Sequence, residues 1–106
     1  QAQKHYEQAQ KQEKTLNNTQ AIVRAAFYGQ IDTLFVNAKA QEWGFIRNYK
    51  HQGLKAYESD QKPGSQDLLN YAAIHTFQNQ GRLLILAPEE IPDTSNICAI
   101  LRYPKD

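Results

Sequence analysis

The 106-residue sequence predicts an α/β domain, a layered α/β/α sandwich built on a mixed sheet. Three observations carry that prediction. Ile97-Cys98-Ala99-Ile100-Leu101 is an unbroken apolar run near the C-terminal end, and such a run is stable only where both faces of a strand are covered. Leu83-Leu84-Ile85-Leu86 is a second run of the same kind. Earlier in the chain, Ile22 to Val36 passes from helical spacing through Gly29 into the β-rich Ile31-Asp32-Thr33-Leu34-Phe35-Val36 with almost no loop, which is a tight αβ unit.

Taken in order, residues 1–16 form a polar leader. Gln, Lys and Glu dominate its first fourteen positions and favour a helix. Tyr6 and Ala9 give it only a thin apolar stripe, so weak anchoring is expected, as for a solvated helix continuing from an upstream region. The chain begins at Gln1 and contains no methionine, which fits a domain taken from a longer protein. The α/β domain is expected over 17–106. Thr15 to Thr19 reads as a turn of capping residues, with Asn17 and Gln20 spaced as a capping box. Ile22, Val23, Ala25, Ala26 and Phe27 make a compact buried helix that Gly29 stops.

Gln41 to Lys50 and Leu54 to Tyr57 read as a hairpin turning at His51-Gln52-Gly53. Glu58 to Ser65 is a surface loop, after which Ser65 caps a helix that runs to about Gln80, with Asp67 in its first turn and Gly81 as its stop. That helix carries apolar residues on nearly every side, so it is expected to touch the sheet and a second element or partner. Leu83–Leu86 is expected to be a fully buried strand. Pro88 to Asn96 is a loop, and the terminal strand follows.

Composition limits the function classes. A net charge of +1 gives no broadly basic nucleic-acid surface, although a local patch is compatible with it. No apolar stretch approaches the roughly 20 residues of a membrane span. The lone Cys98 excludes an internal disulfide and suits a reducing, cytoplasmic setting. His5, His51 and His75 show no metal-ligand spacing. Cys98 has no adjacent base and sits in the most apolar strand, where burial makes a thiol inert. Glu89 and Glu90 are neighbours on a solvated loop rather than a facing acid–base pair. No glycine-rich phosphate loop is present, and neither cofactor, small-molecule substrate nor catalytic residue is expected.

Arg24 lies near the end of the first buried helix, and Arg47, Lys50, Lys55 and Lys62 cluster around the hairpin with Trp43, Phe45 and Tyr49 interleaved. That interleaving allows RNA contact by phosphate pairing and base stacking. The plainer account, in which the aromatics pack on the sheet while the charges solvate its outer edge, is the one the sequence favours.

Ala25-Ala26-Phe27-Tyr28-Gly29-Gln30-Ile31-Asp32-Thr33-Leu34-Phe35-Val36 resembles the helix–Gly–strand unit that opens the C-terminal domain of Pelota and the archaeo-eukaryotic peptide release factors. Ile97-Cys98-Ala99-Ile100-Leu101-Arg102-Tyr103-Pro104 is similar to the segment that closes this domain. Asp67–Ala73 and Ala87–Pro92 resemble the bacterial release-factor-like proteins of the same superfamily. The resemblance runs from about Asn17 to Pro104 and implies a domain related to the kink-turn-binding ribosomal proteins. It also implies a non-catalytic module that docks on a translational GTPase or the ribosome. The Gly-Gly-Gln tripeptide that such factors use for peptide release, carried by a different domain, is absent from this chain. Gln20 and Ala21 stand where kink-turn binders carry Asn and Glu, while Arg24 keeps their basic position. Specific kink-turn recognition is therefore not expected, and the readings left are docking to a protein or ribosome, and RNA contact through Arg24 and the basic hairpin.

Overall fold

The computed structural model describes residues 2–93 and 95–104; the leader's first residue and the last two residues of the expected 17–106 domain lie outside them. The elements are α1 (Ala2–Lys11), β1 (Thr15–Leu16), α2 (Thr19–Phe27), β2 (Ile31–Asn37), β3 (Trp43–Tyr49), β4 (Gly53–Glu58), β5 (Gln66–Asp67), α3 (Leu68–Gln78), β6 (Arg82–Leu86) and β7 (Ile97–Leu101). The larger sheet has the order β1-β7-β2-β6. β7 runs antiparallel to β1 and β2, whereas β6 is parallel to β2, so the sheet is mixed as expected. β3 and β4 form the expected hairpin, but with β5 they make a second, three-stranded sheet rather than joining the first.

Strand alternation sorts the core onto two faces. Phe35, Cys98 and Ile100 face α1, where they meet Tyr6, Ala9 and Ile91. Leu34, Val36, Ile97, Ala99 and Leu101 face α2 and α3. A shift of register between Ile31 and Thr33 returns Ile31 to this second face. Arg102 holds the shifted segment: its Nε donates to the Ile31 carbonyl at 3.2 Å, and its guanidinium reaches the Asn79 carbonyl at 2.7 Å. β7 is buried at every position, which an antiparallel neighbour on each edge and a helical layer on each face require.

Helix α1 departs from expectation because two side chains suffice to anchor it. Tyr6 is 2% exposed, stacks edge-on against Phe35 at 6.0 Å, and donates its hydroxyl to Asp93. A ring of that size buries more apolar area than several small residues would. Thr15–Leu16, expected as a turn, is a short strand paired with Ile100 and Ala99. The cap of α2 lies one residue later than the spacing suggests: Asn18 accepts from the Ala21 N–H, and Asn17 instead donates to Asp93. Asp67, not Ser65, caps α3, while Ser65 closes its own loop on Lys62. The left-handed residue after α3 is Gln80 (φ 68°) rather than Gly81. Gly29 does take the left-handed conformation (φ 71°) that ends α2.

Leu83–Leu86 is not the fully buried strand that its apolar run predicts. β6 is an edge strand, only partly covered, with Ile85 60% exposed. Apolar content cannot distinguish a central strand from an edge strand that is waiting for a neighbour.

Candidate functional site

The hairpin sheet leans on α2, and its inner face carries Gly44, Ile46, Leu54 and Ala56. Gly44 is forced by close approach, since a Cβ there would run into the Tyr57 carbonyl oxygen and sit 2.8 Å from Leu68 Cδ1. The alternate residues therefore face outward. Cross-strand register sets Phe45 opposite Tyr57 and Arg47 opposite Lys55, with Tyr49 opposite Gly53.

That outer face is an aromatic and cationic platform. Tyr49 and Tyr57 are 41% and 43% exposed, and their hydroxyls share a hydrogen bond of 3.0 Å. This bond raises the pKa of Tyr57, with slight burial adding to it, so the ring stays neutral. The Arg47 guanidinium lies 5.5 Å from the Phe45 ring centroid, and Phe45 is partly exposed. Arg47 and Lys55, both exposed, stand directly across the ladder from each other. Like charges so placed repel, and a bound anion relieves that repulsion. Lys50 sits exposed in the turn at the tip. The opposite end of the sheet is acidic: Glu42, Glu58 and Asp60 line an open depression of about 520 Å³ beside Trp43. Charge is thus separated along the hairpin, positive toward the tip and negative toward the base.

Arg24 does not join this platform. Its Nη1 donates to the carbonyls of Gln52 (3.1 Å) and Leu54 (2.7 Å), and its guanidinium lies 5.3 Å from the Tyr28 ring centroid. Tyr28 in turn accepts from the Leu54 N–H at 3.1 Å. The two side chains clamp α2 to the back of the hairpin. Of the five cations that the sequence singled out, Arg47, Lys50 and Lys55 are brought to one hairpin, Arg24 secures it from behind, and Lys62 lies in the loop that Ser65 closes. Sequence reading missed Tyr57 as the outer partner of Phe45; the period-2 alternation of Lys55 and Tyr57 against Leu54 and Ala56 carried that signal.

The remaining titratable candidates are packing residues. Cys98 is fully buried, and burial pushes its thiol up to about 12, where it is neither nucleophile nor ligand at neutral pH. His75 packs between the rings of Tyr71 (4.2 Å) and Phe27 (5.7 Å). No group of three or more His, Cys, Asp or Glu side chains is placed to hold a metal among the described residues. No described helix is long and apolar enough to cross a membrane.

No protein-family model matches the chain, and no curated protein matches it in sequence. Solved structures do match its fold. The C-terminal domain of a peptide chain release factor from Methanosarcina mazei superposes with a TM-score of 0.65 at 13% identity, covering 97% of this chain and 82% of that one. S. cerevisiae Dom34, a translation termination-like factor involved in RNA quality control pathways and interacting with Hbs1, superposes with a TM-score of 0.54 at 19% identity. That match covers 95% of this chain and 25% of Dom34. The fold is therefore that of the release-factor C-terminal domain and of the matched quarter of Dom34, over nearly the whole chain.

Proposed function

We propose that the chain is a non-catalytic interaction module of a translation-associated, cytoplasmic protein, and that it docks on the ribosome through the outer face of its hairpin. The fold likeness to two translation factors supports the setting. A fold alone does not specify a function, so the surface has to supply the contact. The observation that carries the reading is the opposed pair Arg47 and Lys55 framed by Phe45, Tyr49 and Tyr57. Cations beside open aromatic faces suit single-stranded or looped RNA, whose phosphates pair with the charges while unstacked bases lie on the rings.

Binding of the isolated chain to a short single-stranded RNA, and co-sedimentation with ribosomes, test this. The variant Arg47→Glu with Lys55→Glu should abolish RNA binding at moderate salt and remove roughly two units of salt slope. Equal binding by the variant and the parent would sink the RNA contact.

A second reading is docking to a translational GTPase. It is favoured by a partly apolar depression of about 410 Å³ between α2 and the end of β7, lined by Leu16, Ala21, Ala25, Leu101, Tyr103 and Pro104. Tyr103 is 72% exposed beside it. Ala21→Asp should weaken such a complex while leaving RNA binding unchanged, which separates the two surfaces.

A further inference from the structure

We propose that the open edge of β6 is a self-association surface, on which a second copy of the chain adds its own β6 antiparallel across a twofold axis. The two edges of the larger sheet are built differently. β1 closes one edge with only two residues, a common way of blunting a sheet. β6 presents five residues, and Leu83-Leu84-Ile85-Leu86 contains no lysine, proline or bulge to discourage pairing. On the side away from β2, its backbone makes no hydrogen bond among the described residues.

The side chains around that edge are apolar and uncovered. Leu83 packs under the α2–α3 layer, so Ile85 lies on the same sheet face, beyond the reach of α3 and 60% exposed. Phe77 of α3 is 70% exposed. At about 100° per residue it lies roughly 160° round the helix from His75, which faces Phe27 of α2. Phe77 therefore lies on the flank of α3 turned away from α2. Since α2 contacts β7 while α3 contacts β2 and β6, that flank overhangs the β6 edge.

The occupant is identified by self-complementarity. Antiparallel pairing centred on Leu84 sets Leu83 opposite Ile85 of the other copy and Arg82 opposite Leu86. Glu89 and Glu90 follow Leu86 within a few residues, in the 3-10 turn Pro88–Glu90, and both are exposed. Arg82 has no side-chain hydrogen bond or ion pair among the described residues, and the twofold brings it beside those carboxylates, once on each side of the axis. Because the axis is perpendicular to the sheet, both α3 helices fall on one face, with the two Phe77 rings between them. Burying Phe77, Ile85 and the strand edge on both copies removes on the order of 1,000 Å² from water, the lower end for a specific interface. A reversible dimer follows, not an obligate one. Nothing in this arrangement depends on the hairpin face.

Sedimentation equilibrium of the chain from about 10 µM to about 1 mM should show a weight-average mass rising from monomer toward dimer. Ile85→Lys, at an exposed position, should stay folded by circular dichroism and remain monomeric throughout. Phe77→Ser should weaken the dimer at least about tenfold, which corresponds to roughly 1.4 kcal/mol. A parent chain that is monomeric at every concentration overturns the proposal. So does a dimer whose affinity survives both substitutions in folded protein, since the contact then lies elsewhere.

Discussion

Replacing Arg24 by alanine should unfasten the hairpin from α2, and the cost follows from the interactions that its guanidinium makes. Two hydrogen bonds disappear, to the Gln52 and Leu54 carbonyls at 3.1 and 2.7 Å, together with the stacking on Tyr28. A hydrogen bond from a charged donor contributes about 1.5–3 kcal/mol, and an exposed cation–π contact about 0.5–1 kcal/mol. Arg24 is itself exposed and one nitrogen serves both carbonyls, so the sum is discounted to about 2 kcal/mol. For a domain of this size that lowers Tm by about 8 °C. Arg47→Ala is the control, because Arg47 donates to the Ile46 carbonyl and lies over the Phe45 ring of its own strand, opposes Lys55, and fastens no second element among the described residues. Its cost should lie within about 0.5 kcal/mol of zero. Thermal unfolding followed by circular dichroism gives both values, and amide exchange should quicken at Leu54 in the Arg24 variant. If Arg24→Ala shifts Tm by less than about 2 °C, or less than Arg47→Ala does, the clamp has been misassigned.

Two further predictions concern the layer under α1. Tyr6→Ala removes a ring that is 2% exposed against Phe35 and should cost about 3–5 kcal/mol, measured by urea unfolding. A loss below about 1 kcal/mol would mean that α1 is not seated as described. Stability should also fall at alkaline pH. Burial raises the thiol of Cys98 from 9.0 to about 12 and raises the hydroxyl of Tyr6 above its ordinary value of 10.0. Both groups are neutral when protonated, so their contribution is complete below the ordinary values and is lost as pH rises toward the folded ones. Each group should remove roughly 1.4 kcal/mol per pH unit in that window, beginning near pH 9 for Cys98. The urea midpoint followed from pH 7 to pH 11 reads this out, and Cys98→Ala should flatten its onset. A midpoint that does not change between pH 9 and pH 11 would contradict the burial of both groups.

Legibility in the sequence follows how local each interaction is. Asn18 and Asp67 cap their helices through side chains two or three residues from the N–H groups they accept, so a cap near each start was legible, although each lies one or two residues from the expected position. Short polar residues in succession offer several nearly equivalent caps, and tertiary contacts choose among them. Asp93 takes Asn17 away from the α2 cap, and the Asp67 carboxylate also accepts from the Glu42 N–H across the second sheet. The candidate site was half legible for the same reason. Arg24 and Arg47 are equally basic in the sequence, and only the docking of the hairpin on α2 makes one a clamp and leaves the other facing solvent.

By itself, the sequence determined what depends on period and punctuation: the layered α/β class, the hairpin, the left-handed stop at Gly29, and a terminal strand whose five apolar residues had to be interior. These follow because burial on both faces leaves an apolar run no alternative. Only the tertiary structure decided how similar runs differ. Leu83–Leu86 and Ile97–Leu101 read almost alike, yet one lies at an edge and the other between two strands. The difference lies in neighbours far apart in the chain: β1 and β2 flank Ile97–Leu101, whereas β2 alone flanks Leu83–Leu86. The same is true of α1, where two buried side chains anchor an otherwise polar helix because Phe35 and Ile91 happen to lie beneath them.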